Sequence, residues 1–208
     1  MNDPKFKILS LKPASKKNDY FHAILDNGEE FNLHENSLIR YNIKEHQTIK
    51  NKIIYKALDY SEREYIKSKI IVLLSFRQRS KKELKDTFVS KGYKIENVLT
   101  VIDELEQRKY LNDTLFTKMM ASHLIKEKKL GRYLVEQKLF QHEINISVMD
   151  PILSSLYKQY PPSKTIKEIL NKRNIYKGNF LKNKIKMINH LKRKGFNIDD
   201  INSIIESY

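Results

Sequence analysis

Residues 80–105 read SKKELKDTFVSKGYKIENVLTVIDEL. Leu84 and Phe88, then Ile95, Val98, Leu99, Ile102 and Leu105, recur at intervals of three and four, the period of helices that bury one face. Ser80 with Glu83 forms a capping-box pattern, in which hydroxyl and carboxylate satisfy amides that a helix start leaves without partners. Gly92 falls where a helix stops in the left-handed conformation that glycine tolerates. Upstream, Ile66, Ile70, Leu73 and Leu74 supply a further apolar face, and Ser61 with Glu64 forms a second capping-box pattern. The spacing predicts a three-helix module over roughly residues 62–110.

The module recurs. At an offset of 51, Leu84, Phe88, Tyr93, Ile95, Val98, Ile102 and Leu105 fall on Val135, Leu139, Ile144, Ile146, Met149, Leu153 and Leu156, every pair apolar. At an offset of 103, Leu84, Phe88, Gly92, Tyr93, Ile95, Val98 and Ile102 fall on Met187, Leu191, Gly195, Phe196, Ile198, Ile201 and Ile205. Keeping three helices and the glycine in phase marks a true repeat, of the kind that buries each unit against its sequence neighbours in an extended, often curved body. The second unit is the least regular: Glu143 replaces the stop glycine, and Asp150-Pro151 implies a third helix that begins late or kinks.

Residues 1–60 carry another pattern. Residues 5–12 and 19–25 alternate or cluster apolar side chains at strand length, and Asp26-Asn27-Gly28 leads into residues 29–33. Asn-Gly between two such runs signals a hairpin whose two turn residues reach positive φ. The expected fold is therefore mainly α. Three tandem three-helix repeats (61–110, 111–160 and 161–208) form an elongated, curved body after a small β-hairpin or three-stranded sheet (1–60).

Forty Lys and Arg against twenty-five Asp and Glu give the 208 residues a formal charge of +15, which attracts polyanions, nucleic acid first. Residues 61–208 hold thirty basic and seventeen acidic side chains, net +13, and residues 161–208 alone are net +7, whereas residues 1–60 are net +2. With no cysteine, disulfides, thiolate metal sites and cysteine nucleophiles are excluded. The longest aliphatic run, residues 70–74, is too short to span a bilayer, and residues 1–15 lack the apolar core of a signal peptide, so a cytoplasmic chain without membrane contact is expected. No two of the six histidines fall three or four residues apart, and there is no Gly-rich phosphate loop or Ser elbow. Asp103-Glu104 and Asp199-Asp200 place adjacent carboxylates on different helix faces, which suits a solvated surface and not a nuclease site. A non-enzymatic binding protein without metal or cofactor is expected.

These residues resemble the RecX family of recombination regulators. The resemblance rests on Arg77-x-Arg79-Ser80-x-x-Glu83-Leu84, then Lys91-Gly92-Tyr93, then Tyr110-Leu111-Asn112-Asp113-x-x-Phe116, in the family's order and spacing. It implies tandem three-helix repeats, and residues 1–60 resemble an extension of relatives from low-GC bacteria. Three departures stand out: Lys109 where relatives usually have Gly, Thr117 for a common Ala, and His142-Glu143-Ile144 for a usual Lys-Gly-Ile. The implied function is that of a monomeric negative regulator that sits along a RecA recombinase filament and inhibits its ATPase and strand exchange. It would act by blocking extension or promoting disassembly, in DNA repair, homologous recombination and the SOS response. ATP would belong to the partner, and contact with single- or double-stranded DNA would be weak and salt-dependent. The alternative is a free-standing helical DNA-binding protein that acts without recombinase.

Candidate contact residues are the basic side chains Arg77, Arg79, Lys81, Lys82, Arg108, Lys109, Lys128, Lys129, Arg132, Lys182, Lys184, Lys192 and Arg193. Arg77 and Arg79 flank a capped helix, where they either grip a phosphate or carboxylate or serve structurally by pairing with Glu83 or a helix-end carbonyl. Tyr110, Leu111, Asn112, Asp113 and Phe116 join two repeats; a cap from Asn112 or Asp113, with Leu111 and Phe116 packed inside, is the simpler role beside partner contact. Aromatics at 20, 21, 133, 157 and 160 either stack on bases or lie in the core.

Overall fold

Helices α3 (Lys81–Val89) and α4 (Ile95–Gln107) occupy the opening stretch in a computed structural model that describes residues 3–15, 19–176 and 180–205. Ser80 Oγ accepts from the Glu83 N–H at 3.1 Å, as its cap position requires. Gly92 takes φ +87 and the Tyr93 N–H returns to the Phe88 carbonyl at 3.3 Å, closing α3. The same closure follows Glu143 (φ +58), with Ile144 N–H to Leu139 O at 3.4 Å, and Gly195 (φ +84), with Phe196 N–H to Leu191 O at 3.2 Å. Each closure precedes an apolar residue (Tyr93, Ile144, Phe196) that sits ahead of a helix whose fourth residue (Val98, Met149, Ile201) is buried, the spacing of a hydrophobic staple. The repeat is thus one of backbone as well as of pattern.

Not every apolar position lies inside. Ile95 and Leu99 are 45% and 41% exposed, because the packed face of α4 is Val98, Val101, Ile102 and Leu105. Ile146 and Ile198, the equivalents of Ile95, are exposed as well.

The N-terminal strands form a four-stranded antiparallel sheet, ordered β3-β2-β1-β4: β1 (Lys5–Pro13), β2 (Tyr20–Leu25), β3 (Glu30–His34) and β4 (Thr48–Lys50). Between β3 and β4 lies α1 (Glu35–Tyr41), capped by His34 Nδ1, which accepts from the Asn36 N–H at 3.1 Å. Neither α1 nor β4 has a local signal in the sequence. In the hairpin turn only Gly28 is left-handed (φ +86), while Asn27 Oδ1 accepts from the Glu29 N–H at 3.0 Å; the expectation that both residues reach positive φ is corrected.

Helix α2 (Asn51–Phe76) runs unbroken through residue 61, so Ser61 and Glu64 do not cap a helix start. The Ser61 hydroxyl instead donates to the Ala57 carbonyl at 2.8 Å and accepts from the His34 N–H at 2.9 Å. Ser37 Oγ also donates to the Ala57 carbonyl, at 2.9 Å. Small side chains at 57 and 61 let sheet and helix approach closely, and their polar groups are satisfied there, as burial demands. Ile8, Leu25, Leu33, Ile49, Ile54 and Ala57 share this core, where each large aliphatic side chain contributes about 1.5–3 kcal/mol.

The chain divides into two compact units. One comprises Met1–Arg77 with Leu84–Tyr110; the other comprises Gln78–Glu83 with Leu111–Tyr208. The second contains α5 (Asp113–Lys126), α6 (Arg132–Phe140), α7 (Ile146–Gln159), α8 (Pro162–Lys172), α9 (Phe180–Arg193) and α10 (Ile198–Ile205). Phe116, Ile125, Leu139, Met149 and Leu153 form the core of α5–α7, and Ile166, Leu170, Leu191 and Ile201 that of α8–α10. Helix α7 starts at Ile146, capped by Asn145 Oδ1 on the Ser147 N–H at 2.9 Å, and Pro151 lies inside it, so the helix does not begin late. Among the described residues no helix is long and apolar enough to cross a membrane.

Candidate polyanion-binding surface

Two turns of the second unit lock together through their backbones. Gly131 N–H donates to the Lys194 carbonyl at 2.8 Å, and Tyr133 N–H donates to the Gly195 carbonyl at 3.2 Å. Lys194 Nζ reaches back to donate to the Lys128 carbonyl at 2.8 Å. This lock places the end of α5, with Lys128 and Lys129, against the end of α9, with Lys192 and Arg193. Charge then accumulates: burial pushes the Lys194 ammonium below the usual lysine range, and Arg173 and Lys172 push it further. His190 is lowered by burial, then by Arg173, Lys194 and Arg193. The charges of Arg173 and Lys172 on Lys194, and of Arg173, Lys194 and Arg193 on His190, make a local positive field of the sign that attracts phosphate or carboxylate oxygens. Lys128, Lys192 and Arg193 are exposed at the lock; Lys182 and Lys184 are exposed nearer the start of α9.

Six other candidates are engaged within the chain. Arg79 pairs with Glu83, Lys81 with Asp113 at 3.5 Å, and Lys82 with Glu143 at 3.4 Å. Lys129 meets Glu168 at 2.7 Å, and Arg132 holds Glu136 at 2.7 Å together with Asp150. Arg108 meets Glu104 at 2.7 Å, and the hydrogen bond from Lys67 to Glu104, at 2.8 Å, holds that carboxyl below its usual range. Arg77 is exposed at the C-cap of α2, in the first unit, while Arg79 belongs to the second. Lys109 is exposed with φ +62, which accounts physically for a glycine preference at this position.

The junction motif is mainly structural in its contacts. Asn112 Oδ1 caps α5 by accepting from the Leu115 N–H at 2.9 Å, Leu111 and Phe116 are buried, and Tyr110 is half exposed. The Phe116 ring lies 5.1 Å from His142, whose Nδ1 is 2.9 Å from Ser80 Oγ, so the α3 cap is tied into the same cluster. Thr117 is buried with its hydroxyl donating to the Asp113 carbonyl at 2.6 Å. Of the aromatics, Tyr157 is anchored by a hydrogen bond from its hydroxyl to the Leu130 carbonyl, and Tyr133 is 64% exposed. Lys194 and Gly131 were missing from the candidates; their importance depends on pairing between turns that are more than sixty residues apart.

These features define a helical-repeat protein with a small antiparallel sheet and a basic junction, and among the described residues no group of three or more His, Cys, Asp or Glu converges as a metal site. No family model matches the chain. Proteins named "Regulatory protein RecX" do. The one from Streptococcus equi subsp. zooepidemicus is 26% identical over 148 residues, 70% of this chain and 57% of the relative. The Streptococcus sanguinis protein is 25% identical over 165 residues, 79% of this chain and 64% of its own length. The Streptococcus pneumoniae serotype 19F protein is 26% identical over 92% of this chain and 74% of its own. The chain thus spans less than two thirds of the length of the first two of these relatives. Among solved structures, a crystal structure of regulatory protein RecX superposes with a TM-score of 0.72 at 19% identity, covering 97% of this chain and 99% of that one. RecX from Lactobacillus salivarius gives 0.57 at 18% identity over 70% of this chain and 96% of its own. The chain is thus similar in sequence to proteins named regulatory protein RecX and shares the fold of a solved one.

Proposed function

We propose that this protein is a negative regulator of a RecA-type recombinase, which binds the recombinase filament on DNA and lowers its ATP hydrolysis and strand exchange. The observation that carries the reading is the basic junction, where the Lys194 ammonium donates to the Lys128 carbonyl beside the exposed Lys192 and Arg193, with the charges of Arg173 and Lys172 acting on it. A surface of this sign and spread suits the phosphates of a nucleoprotein filament or acidic patches on its protein, and a repeat architecture suits a partner that is itself repetitive. Neither ATP nor a metal is asked of this chain; nucleotide hydrolysis belongs to the partner. Action as a monomer in the cytoplasm is part of the same reading.

The test is DNA-dependent ATP hydrolysis by RecA, with and without the full chain. A fall in rate at stoichiometric or lower ratios to recombinase, with no ATPase or nuclease activity of the chain alone, is the expected result. An unchanged rate, or DNA cleavage with a divalent metal, overturns it. The same basic junction favours one rival, a DNA-binding protein that works without recombinase. That rival requires tight binding to naked duplex at physiological salt, whereas the regulator reading requires such binding to be weak.

A further inference from the structure

The middle helices of the three repeats differ in length. Helices α3 and α6 have nine residues each, whereas α9 has fourteen, and most of the addition precedes the position where its counterparts begin. The addition carries Leu181, 83% exposed, and one turn further on stands Ile185, 76% exposed, on the same side of the helix. Their exposure has a local cause, since the inward face of α9 is made by Met187 and Leu191. Lys182 and Lys184 lie to either side of the apolar pair, and the exposed Lys192 continues its line along the helix. Helix α9 holds five Lys and Arg and no Asp or Glu, so it has no carboxylate of its own to neutralise them.

We propose that this side of α9 is a docking surface for an acidic amphipathic helix of another protein, with Leu181 and Ile185 against its apolar stripe and its carboxylates on Lys182 and Lys184. Charge and apolar area select this occupant together. A phosphate backbone takes the cations but offers nothing apolar to Leu181 and Ile185, which stay hydrated against it. A second copy of this chain, at +15, approaches the helix with charge of the same sign. An acidic helix with an apolar stripe satisfies both demands: apolar side chains one turn apart anchor it, and complementary charge at the edges fixes its register. The proposal deepens the regulator reading and rests on it only for which protein supplies the helix. Within a nucleoprotein filament it assigns the start of α9 to the protein component and leaves the phosphates to the junction beside Lys194.

The experiment follows the fluorescence anisotropy of three labelled probes titrated with the full chain: a short synthetic helix with Leu on one face and Glu along its edges, a peptide of the same composition in scrambled order, and a short DNA duplex. The parent chain is expected to bind the amphipathic peptide about tenfold more tightly than the scrambled one. Leu181→Ser with Ile185→Ser, at exposed positions outside the core, is expected to weaken the amphipathic peptide about tenfold and leave the duplex unchanged. Lys182→Gln with Lys184→Gln is expected to weaken both. Equal affinity for the two peptides, or a Ser variant of parental helicity that loses peptide and duplex alike, overturns the docking surface. Parental peptide affinity in the Ser variant overturns it too. If that variant instead loses binding to phosphatidylglycerol vesicles the face belongs to a membrane surface, and if it loses a concentration-dependent dimer in sedimentation the face belongs to a second copy. No recombinase is present, so failure here and failure of the regulator reading are separate results.

Discussion

Replacing Gly131 by Ala tests the lock between the two turns of the second unit. Gly131 has ordinary extended backbone angles (φ −77, ψ 163), so a side chain costs nothing in conformation there. The cost is space. A Cβ at 131 falls 2.3 Å from the carbonyl carbon and oxygen of Gly195 and from the Phe196 nitrogen, all backbone atoms. Relief to ordinary contact requires the turn to retreat by about 1 Å, which breaks or stretches the bonds from Gly131 N–H to Lys194 O and from Tyr133 N–H to Gly195 O. Overpacking of this kind costs about 1–3 kcal/mol, and each lost bond adds about 1 kcal/mol. The smaller entropy of the unfolded alanine chain returns about 0.4–1 kcal/mol. The net expectation is a loss of about 2–4 kcal/mol, or a fall in Tm of roughly 5–15 °C for a chain of this size. Gly92→Ala is the control: nothing lies within 4 Å of its Cβ, and only the left-handed backbone (φ +87) resists, at about 1–2 kcal/mol. Urea and thermal unfolding of both variants decide the matter, with amide exchange at 131 and 133 as a local probe. Equal losses in the two variants, or retained protection at 131 and 133, refute the steric account.

Charge reversal of the exposed cations of α9, Lys182→Glu, Lys184→Glu, Lys192→Glu and Arg193→Glu together, is expected to abolish most filament inhibition and flatten its salt dependence while helicity persists; removal of residues 1–60 is expected to matter less. Parental inhibition by the folded reversal variant, with inhibition lost on truncation, inverts that assignment. His190 has a folded pKa below its ordinary value near 6.5, so the unfolded chain binds the proton more readily and stability falls as pH drops below about 6.5. Chemical unfolding between pH 7.5 and 5.5 is expected to show a decline that His190→Gln reduces, and an identical slope in the variant rejects it. Lys109 pays for a left-handed backbone (φ +62) without glycine, so Lys109→Gly is expected to raise stability by up to about 1 kcal/mol, read from the urea midpoint; a lower midpoint contradicts it.

The parts of the fold legible in the sequence are those whose physics is local. The period of residues 80–105, the Ser80 hydroxyl three residues before Glu83 and the stop at Gly92 each act within a turn or two, and α3 and α4 lie where these signals put them. Ser61 with Glu64 shows the same spacing, yet the hydroxyl is taken by the His34 N–H from β3, a partner 27 residues away, and the helix starts at Asn51, after an N-cap Lys50 that makes no side-chain cap bond. Gly131 carries no local mark at all, since its backbone is unremarkable and the need for glycine is imposed by Gly195.

The same division governs the candidate surface. Counting basic residues locates a charge excess, but the charge that a partner meets is what remains after intramolecular pairing. The carboxylates that engage Lys82, Lys129 and Arg132 include Glu143, Glu168 and Asp150, which stand on other elements and follow them in sequence by 61, 39 and 18 positions. No reading of local spacing subtracts them. Lys128, Lys192 and Arg193 survive the subtraction as exposed cations, and they lie beside Lys194, whose ammonium is committed to a backbone carbonyl. On the proposed function, an arriving phosphate meets exposed cations anchored on segments joined by a backbone lock, which lowers the ordering cost of binding relative to lysines on a free tail. On this account Gly131→Ala weakens filament binding as well as stability although it removes no charge, and a variant that melts earlier yet binds with parental affinity below its Tm separates the lock from the surface.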